Sequence, residues 1–310
     1  MSVAPGRPPQ GESRNNMTMS VLNIAARRSL CIALVLAPAL AANVAVAQSV
    51  PPPYGNYQSP INIIEPVPLV SAPTFVNTSD LQKPRDFTLK NTTGSNWCHD
   101  VTECQGTVDQ RWGSLKAYPP PAPEKPIQIQ FGASRYTLQE FHFHAPAEHL
   151  VNGVLTEMEV HFVFKKNEGQ ACSSDEYLVI GQRIMKGAPN SELNKIFGGQ
   201  ITLPTGYGPG VALKQFTIGK VLTNLNEGSY RYSGSLTAPA DLGCTPPGNP
   251  IDQLASGYLP EVVSWVLLEP TLQMSGDQID RFRVLFPNGD ARGPQAMKSQ
   301  RVGRTKPGTP

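Results

Sequence analysis

Apolar and polar residues alternate with a period of two along much of this chain, and the clearest run is Tyr136 to His144. Strict alternation there places Thr137, Gln139, Phe141 and Phe143 on one strand face, and Leu138, Glu140, His142 and His144 on the other. A second alternating run divides Glu157, Glu159, His161 and Val163 from Met158, Val160, Phe162 and Phe164. Shorter apolar stretches predict strands over 87–91, 112–117, 127–131, 177–184, 230–237 and 262–268, with Asn152-Gly153 as the strongest tight-turn signal. Helical spacing occurs at Ser275 to Phe286, which Ser275 caps and Pro287 stops, and a short helix is expected over Ser191 to Phe197 with Ser191 as its cap. With 31 prolines and 27 glycines in 310 residues, these short elements predict a turn-rich, mainly β framework. The proline-rich stretch 118–126 lacks ladder donors and is expected to be exposed loop.

Net charge is +2 with 16% charged residues and no basic block, which argues against a nucleic-acid partner. Near the N-terminus Arg27-Arg28, an apolar run to Ala42 and Ala45-Val46-Ala47 before Gln48 form a signal-peptide pattern. Residues 1–47 are therefore expected to be an upstream extension and leader, leaving no membrane anchor after cleavage, and the mature protein is expected to be periplasmic or secreted. Cys31 departs with the leader; Cys98, Cys104, Cys172 and Cys244 remain, an even number suited to two disulfides in an oxidising compartment. Cys98 with Cys104 and Cys172 with Cys244 are the expected pairs, other pairings staying open. The basic, glycine- and proline-rich stretch 297–310 is expected to be a flexible tail.

Candidate chemistry gathers where the alternation is cleanest, because four of the five histidines fall in residues 136–164. A strand bearing His-x-His delivers two imidazoles about 7 Å apart, and a neighbouring antiparallel strand adds His161. Three neutral imidazoles leave one tetrahedral position open, the arrangement of a catalytic zinc site. Glu140 and Glu159, two residues before His142 and His161, are placed to accept the other ring N–H of each.

Gln58-Ser59-Pro60-Ile61-Asn62-Ile63, Phe141-His142-Phe143-His144 with Glu148-His149, Glu159-Val160-His161-Phe162-Val163, and Tyr232-Ser233-Gly234-Ser235-Leu236-Thr237-Ala238-Pro239 occur in one order. Together with Val263-Ser264-Trp265 and Phe282-Arg283, they resemble the landmarks of the α-class carbonic anhydrases. The resemblance implies one catalytic domain over 48–296, built on a large twisted, mostly antiparallel sheet with a few short peripheral helices. It implies reversible hydration of carbon dioxide by a zinc-bound hydroxide, with Zn2+ on His142, His144 and His161. Thr237 would donate to Glu148 and accept from the hydroxide, while Val163, Val179, Leu236, Val263 and Trp265 would line an apolar substrate pocket.

The chain departs from the family pattern in four places. No histidine stands at Thr92 or Thr93, where the family's proton shuttle is expected, and His99 in the Cys98–Cys104 loop is the candidate substitute. Glu140 replaces the usual glutamine, so a Glu140→Gln variant is expected to move its pH–rate profile to lower pH. An insertion, Ala240 to Pro260, follows the gate and contains Thr245, a rival to Thr237 that lacks the preceding Ser235-Leu236. The segment before Gln58 is short. Two other readings compete: a carbonic-anhydrase-like binding domain without strong catalysis, and a cupin with Glu148 as a fourth metal ligand.

Overall fold

The structure is a computed structural model that describes residues 56–69, 72–94, 112–166, 177–223, 225–239 and 258–305. Its strands are β1 (Asn62–Ile63), β2 (Val67–Pro68), β3 (Phe75–Val76), β4 (Arg85–Asn91), β5 (Leu115–Tyr118), β6 (Gln128–Phe131), β7 (Ser134–His144), β8 (Leu150–Val151), β9 (Met158–Lys166), β10 (Tyr177–Lys186), β11 (Val211–Phe216), β12 (Ser229–Gly234), β13 (Val263–Leu268), β14 (Leu272–Met274) and β15 (Gly303–Arg304). The helices are α1 (Asn194–Phe197) and α2 (Gly276–Leu285). The expected leader, His99, Cys98, Cys104, Cys172 and Cys244 with their proposed pairings, and most of the 240–260 insertion lie outside the described residues.

Thirteen strands form one sheet with the path β11-β4-β5-β7-β9-β10-β13-β12-β15-β2, to which β14, β6 and β3 attach at the side. Pairing is mostly antiparallel; β10 runs parallel to β13 and β14, and β15 to β2. The sheet buries apolar side chains on both faces, as near-continuous hydrophobic strands such as Leu178–Ile184 require. One face carries Phe141, Phe143, Phe162 and Phe164, packed with Ile196 and Phe197 of α1 and Ile279 and Phe282 of α2. Phe141 stacks on Phe162 with ring centres 5.2 Å apart, which ties β7 to β9 at the middle of this layer. The opposite face carries the histidines and a smaller apolar cluster around Trp265.

Four expectations are corrected. Leu138 does not share the histidine face. It pairs with Phe164 whereas Glu140 pairs with Val163, so Gln139 is an unmatched, exposed residue, and this bulge turns Leu138 onto the phenylalanine face. Ser191 does not cap α1, which begins at Asn194 after Leu193 with no side-chain cap; Asn190 Oδ1 instead accepts from the backbone N–H of Glu192 at 3.0 Å and of Leu193 at 2.9 Å in the turn leading into the helix. The strand expected over 230–237 ends at Gly234, and Ser235 to Thr237 leave the ladder to reach the site. Residues 297–305 are not a free tail. Gly303 and Arg304 pair with β12 and β2, and Val302 is buried in the smaller cluster.

Candidate metal centre

Residues directly paired on adjacent strands point to the same face, so the strand register dictates what surrounds the histidines. One row across the sheet reads Lys90, Lys116, His142, His161, Gly181, Leu267, Tyr230. The next reads Thr88, then Tyr118, and beyond it Glu140, Val163, Val179, Trp265 and Tyr232. His144 adds a third row with Glu159 and Arg183. One side of the histidines is therefore polar and charged, from β4, β5 and Glu140. The other is apolar, from β9, β10 and β13. Gly181 is the gap in the first row: a Cβ there would stand 2.9 Å from Glu159 Oε1 and 2.9 Å from Leu267 Cδ1.

The three imidazoles converge, with ring centres 4.8, 5.2 and 4.9 Å apart for His142–His144, His142–His161 and His144–His161. One nitrogen of each is committed outward. His142 Nδ1 donates to Glu140, at 2.9 and 2.8 Å from its two oxygens. His144 Nδ1 donates to the Asp290 carbonyl at 3.3 Å. His161 Nε2 donates to Glu159 Oε1 at 2.9 Å. These partners fix the tautomers and turn His142 Nε2, His144 Nε2 and His161 Nδ1 inward. His144 Nε2 and His161 Nδ1 are buried without a partner. Buried polar atoms of that kind are rare unless something occupies the space between them, and these three histidines can bring one nitrogen each within 4.8 Å of the others. Burial, then the neighbouring histidines, keeps His144 well below its ordinary pKa. Burial likewise lowers His161, to about 4. Both rings are thus neutral near pH 7, the form that binds a metal ion.

Glu159 supports the centre from behind. Its Oε1 accepts from His149 Nδ1 (2.7 Å) and His161 Nε2 (2.9 Å), and its Oε2 accepts from the backbone N–H of Glu148 (3.0 Å) and His149 (2.9 Å). Burial alone would raise its pKa, but His149, His161 and the hydrogen bonds hold it well below the usual range. His149 is committed at both nitrogens, Nε2 lying 2.6 Å from Tyr232 Oη, which is itself 3.1 Å from Ser59 Oγ. The grouping of His149, Glu159 and His161 is therefore a hydrogen-bonded support and not a second metal site.

Glu148 is fully buried. Its Oε1 accepts from the Arg292 backbone N–H at 2.8 Å, and Oε2 has no partner at ordinary hydrogen-bond distance. Burial leaves its pKa well above the usual range, although the Arg292 backbone N–H and the Thr237 hydroxyl act to lower it. Glu148 Oε1 lies 3.7 Å from the outward nitrogen of His144, and Oε2 lies 3.9 Å from the inward Nδ1 of His161, but the close group of candidate ligands is His142, His144 and His161 without Glu148. It is not the fourth member of the set, and the cupin arrangement does not form. Val179, Val263 and Trp265 belong to the smaller apolar cluster, with Val163 and Leu236 packed against it. Trp265 Nε1 donates to the Ser235 carbonyl at 2.9 Å, which seats the indole beside the loop carrying Leu236 and Thr237.

The structure thus brings together His142, His144, His161, Glu140, Glu159, Glu148, Thr237 and the five apolar residues predicted. Sequence reasoning missed Lys116, Gly181, Asp290 and Arg292. None sits at a periodic or motif position, and each reaches the site through register or loop packing. Arg292 also holds the Gln58-Ser59 segment, donating to the Ser59 carbonyl at 2.7 Å and to Gln58 Oε1 at 3.2 Å.

A mostly antiparallel sheet that turns one nitrogen from each of three buried imidazoles toward a common point carries a candidate three-histidine metal site. The sequence profile of eukaryotic-type carbonic anhydrases matches residues 46–245, and the chain belongs to that family. A carbonic anhydrase of Pectobacterium carotovorum is 29% identical over 165 residues, which cover 53% of this chain and 57% of that protein. The chain thus spans a little over half the length of this curated relative. Among solved structures, the α-carbonic anhydrase of Thermovibrio ammonificans in complex with sulfanilamide superposes with a TM-score of 0.57 at 23% identity, covering 80% of this chain and 87% of that one. Dioscorin complexed with ascorbate gives 0.55 at 16% identity, covering 82% and 87%. These last two likenesses concern the fold.

Proposed function

We propose that this chain catalyses the reversible hydration of carbon dioxide to bicarbonate and a proton, with zinc held by His142, His144 and His161. The observation that carries this reading is the pair of partnerless buried nitrogens, His144 Nε2 and His161 Nδ1, facing one point at the border between a polar and an apolar wall. Zinc at such a point supplies an acidified water as a nucleophile near neutral pH; the lowering to about 7 is the established figure for carbonic anhydrase itself.

The chain's own residues do the rest. Val163, Val179, Leu236, Val263 and Trp265 exclude water from one side, which suits a substrate without charge and with little polarity. Thr237 and Glu148 orient the attacking oxygen. The threonine hydroxyl, engaged by the carboxylate, keeps only its acceptor side for the nucleophile's proton, and so points a lone pair toward the apolar wall. That role requires ionised Glu148, and a nearby dication favours the ionised form against burial. Glu140, Glu159 and the Asp290 carbonyl keep the three rings in place. Lys90, Lys116 and Tyr118 make the opposite wall wettable, which gives the released proton a route toward solvent.

The deciding experiment is stopped-flow carbon dioxide hydration with zinc analysis, wild type beside His161→Ala. Wild type is expected to hold one zinc per chain and to hydrate carbon dioxide; His161→Ala is expected to lose the zinc and fall to the buffer rate. A wild type that holds zinc without hydrating would instead support the binding-domain reading. We also propose export of the mature enzyme, on the strength of the Ala45-Val46-Ala47 processing pattern. An exported protein whose N-terminal residue is Gln48 would bear this out, and an uncleaved cytoplasmic one would refute it.

A further inference from the structure

The polar wall also holds a charge arrangement centred on Glu140. Lys116 on β5 is the direct cross-strand partner of His142 on β7. Its Nζ lies 3.3 Å from Glu140 Oε1, and the same carboxylate sits 2.9 and 2.8 Å from His142 Nδ1. One carboxylate, with its side chain 10% exposed, is therefore divided between an ammonium group and an imidazole N–H. The other groups facing Lys116 are Lys90, directly opposite it on β4, and Tyr118, two residues along β5, whose ring lies 5.9 Å from Lys90 Nζ.

A carboxylate accepting from the outer nitrogen of a ligating histidine makes that ring a stronger donor. A cation on the far side of the same carboxylate draws its electron density the other way. We propose that Lys116 is a positioning residue of the metal centre, which restrains Glu140 and thereby sets how strongly His142 donates to the bound ion. This rests on the reading that the three histidines hold zinc. The alternative is that Lys116 only offsets the desolvation of Glu140, as a cation beside a partly buried acid does anywhere.

The two differ in what reaches the metal. Protein loaded with cobalt(II) in place of zinc is titrated by its visible spectrum, in wild type, Lys116→Met, Glu140→Gln, the double variant and Lys116→Arg, and zinc affinity is measured by chelator competition. Glu140→Gln is expected to weaken zinc binding about 10-fold or more. Lys116→Met is expected to keep its zinc while the spectral pH midpoint rises. In the Glu140→Gln background the same lysine change is expected to move the midpoint roughly half as far or less, and Lys116→Arg to restore the wild-type midpoint, because the influence of Lys116 runs through Glu140. Equal shifts in the two backgrounds, or none, overturn the inference. Wild-type protein that takes up no metal overturns this inference and the zinc reading together, whereas one metal per chain with an inert Lys116 sinks this inference alone.

Discussion

Glu159 and Gly181 are a matched pair. The carboxylate accepts four hydrogen bonds in full burial, and it fits there because the residue facing His161 across the strand pair has no side chain. Gly181→Ala would place a methyl group 2.9 Å from Glu159 Oε1 and from Leu267 Cδ1. Overpacking of that kind costs about 1–3 kcal/mol, and displacing the carboxylate that orients His161 is expected to weaken zinc binding about 10-fold or more. Urea denaturation and chelator competition read the two effects separately. Asp290 tests the opposite situation. Burial raises its pKa and that of Glu148 well above the ordinary range, although hydrogen bonds from Ala145 and Ser114 pull Asp290 back. A raised carboxyl pKa favours the fold below the unfolded value, and that contribution is lost as pH rises through the folded value. Relative to zinc-free wild type, zinc-free Asp290→Asn is therefore expected to become progressively more stable as pH rises above the usual carboxyl range, because His144 and His161 act alike in both. A pH series of melting temperatures on apo protein checks it, and parallel slopes for the two would refute it.

At the scale of elements, β7 is one strand serving two purposes. Its first half feeds Tyr136 and Leu138 into the phenylalanine core, its second half presents Glu140, His142 and His144 to the site, and the bulge at Gln139 lets one strand do both. A bulge leaves no mark on a hydrophobic pattern read residue by residue, which is why strict alternation misplaced Leu138. Helix α2 shows the reverse. Ser275 Oγ accepts from Gln278 N at 3.3 Å while Gln278 Oε1 accepts from Ser275 N at 3.1 Å, a reciprocal cap written entirely in local sequence. Gln278 also donates to the Asn190 carbonyl at 2.9 Å, so the cap anchors α2 beside α1. Ser275→Ala is expected to lower stability by about 1 kcal/mol without changing zinc stoichiometry, as measured by chemical denaturation and metal analysis.

At the scale of the whole molecule, the sheet keeps two cores of different character. The larger one, behind the histidine strands, is sealed by α1 and α2, whereas the smaller one forms the apolar wall of the site and is finished by the C-terminal segment. Val302 packs there, Gln300 Nε2 donates to the Gln58 carbonyl at 3.0 Å, and β15 joins β12 to β2. Truncation after Arg301 removes a buried valine worth about 1.5–3 kcal/mol and exposes the β12 edge that carries Tyr230 and Tyr232. The shortened chain is expected to unfold at lower urea concentration and to bind 8-anilinonaphthalene-1-sulfonate. An unchanged midpoint would show that residues 302–310 contribute nothing to the wall.

Much of the site was readable from the chain alone, because its ligands lie on two strands close in sequence and a period of two states which side chains share a face. His142, His144, His161, Glu140 and Glu159 were legible for that local reason, as was the helix behind Ser275. What lies beside them was not. Lys116 comes from β5, Gly181 from β10, and Asp290 and Arg292 from the segment after α2, each placed by register or packing between stretches distant in sequence. The same holds for the residues after 297, whose basic, glycine-rich composition describes a loose end until β12 and β2 offer an unpaired edge. Local pattern determines which face a side chain takes; only the pairing of distant strands decides which charges, gaps and walls it meets there, since that choice depends on free energy shared across the folded chain.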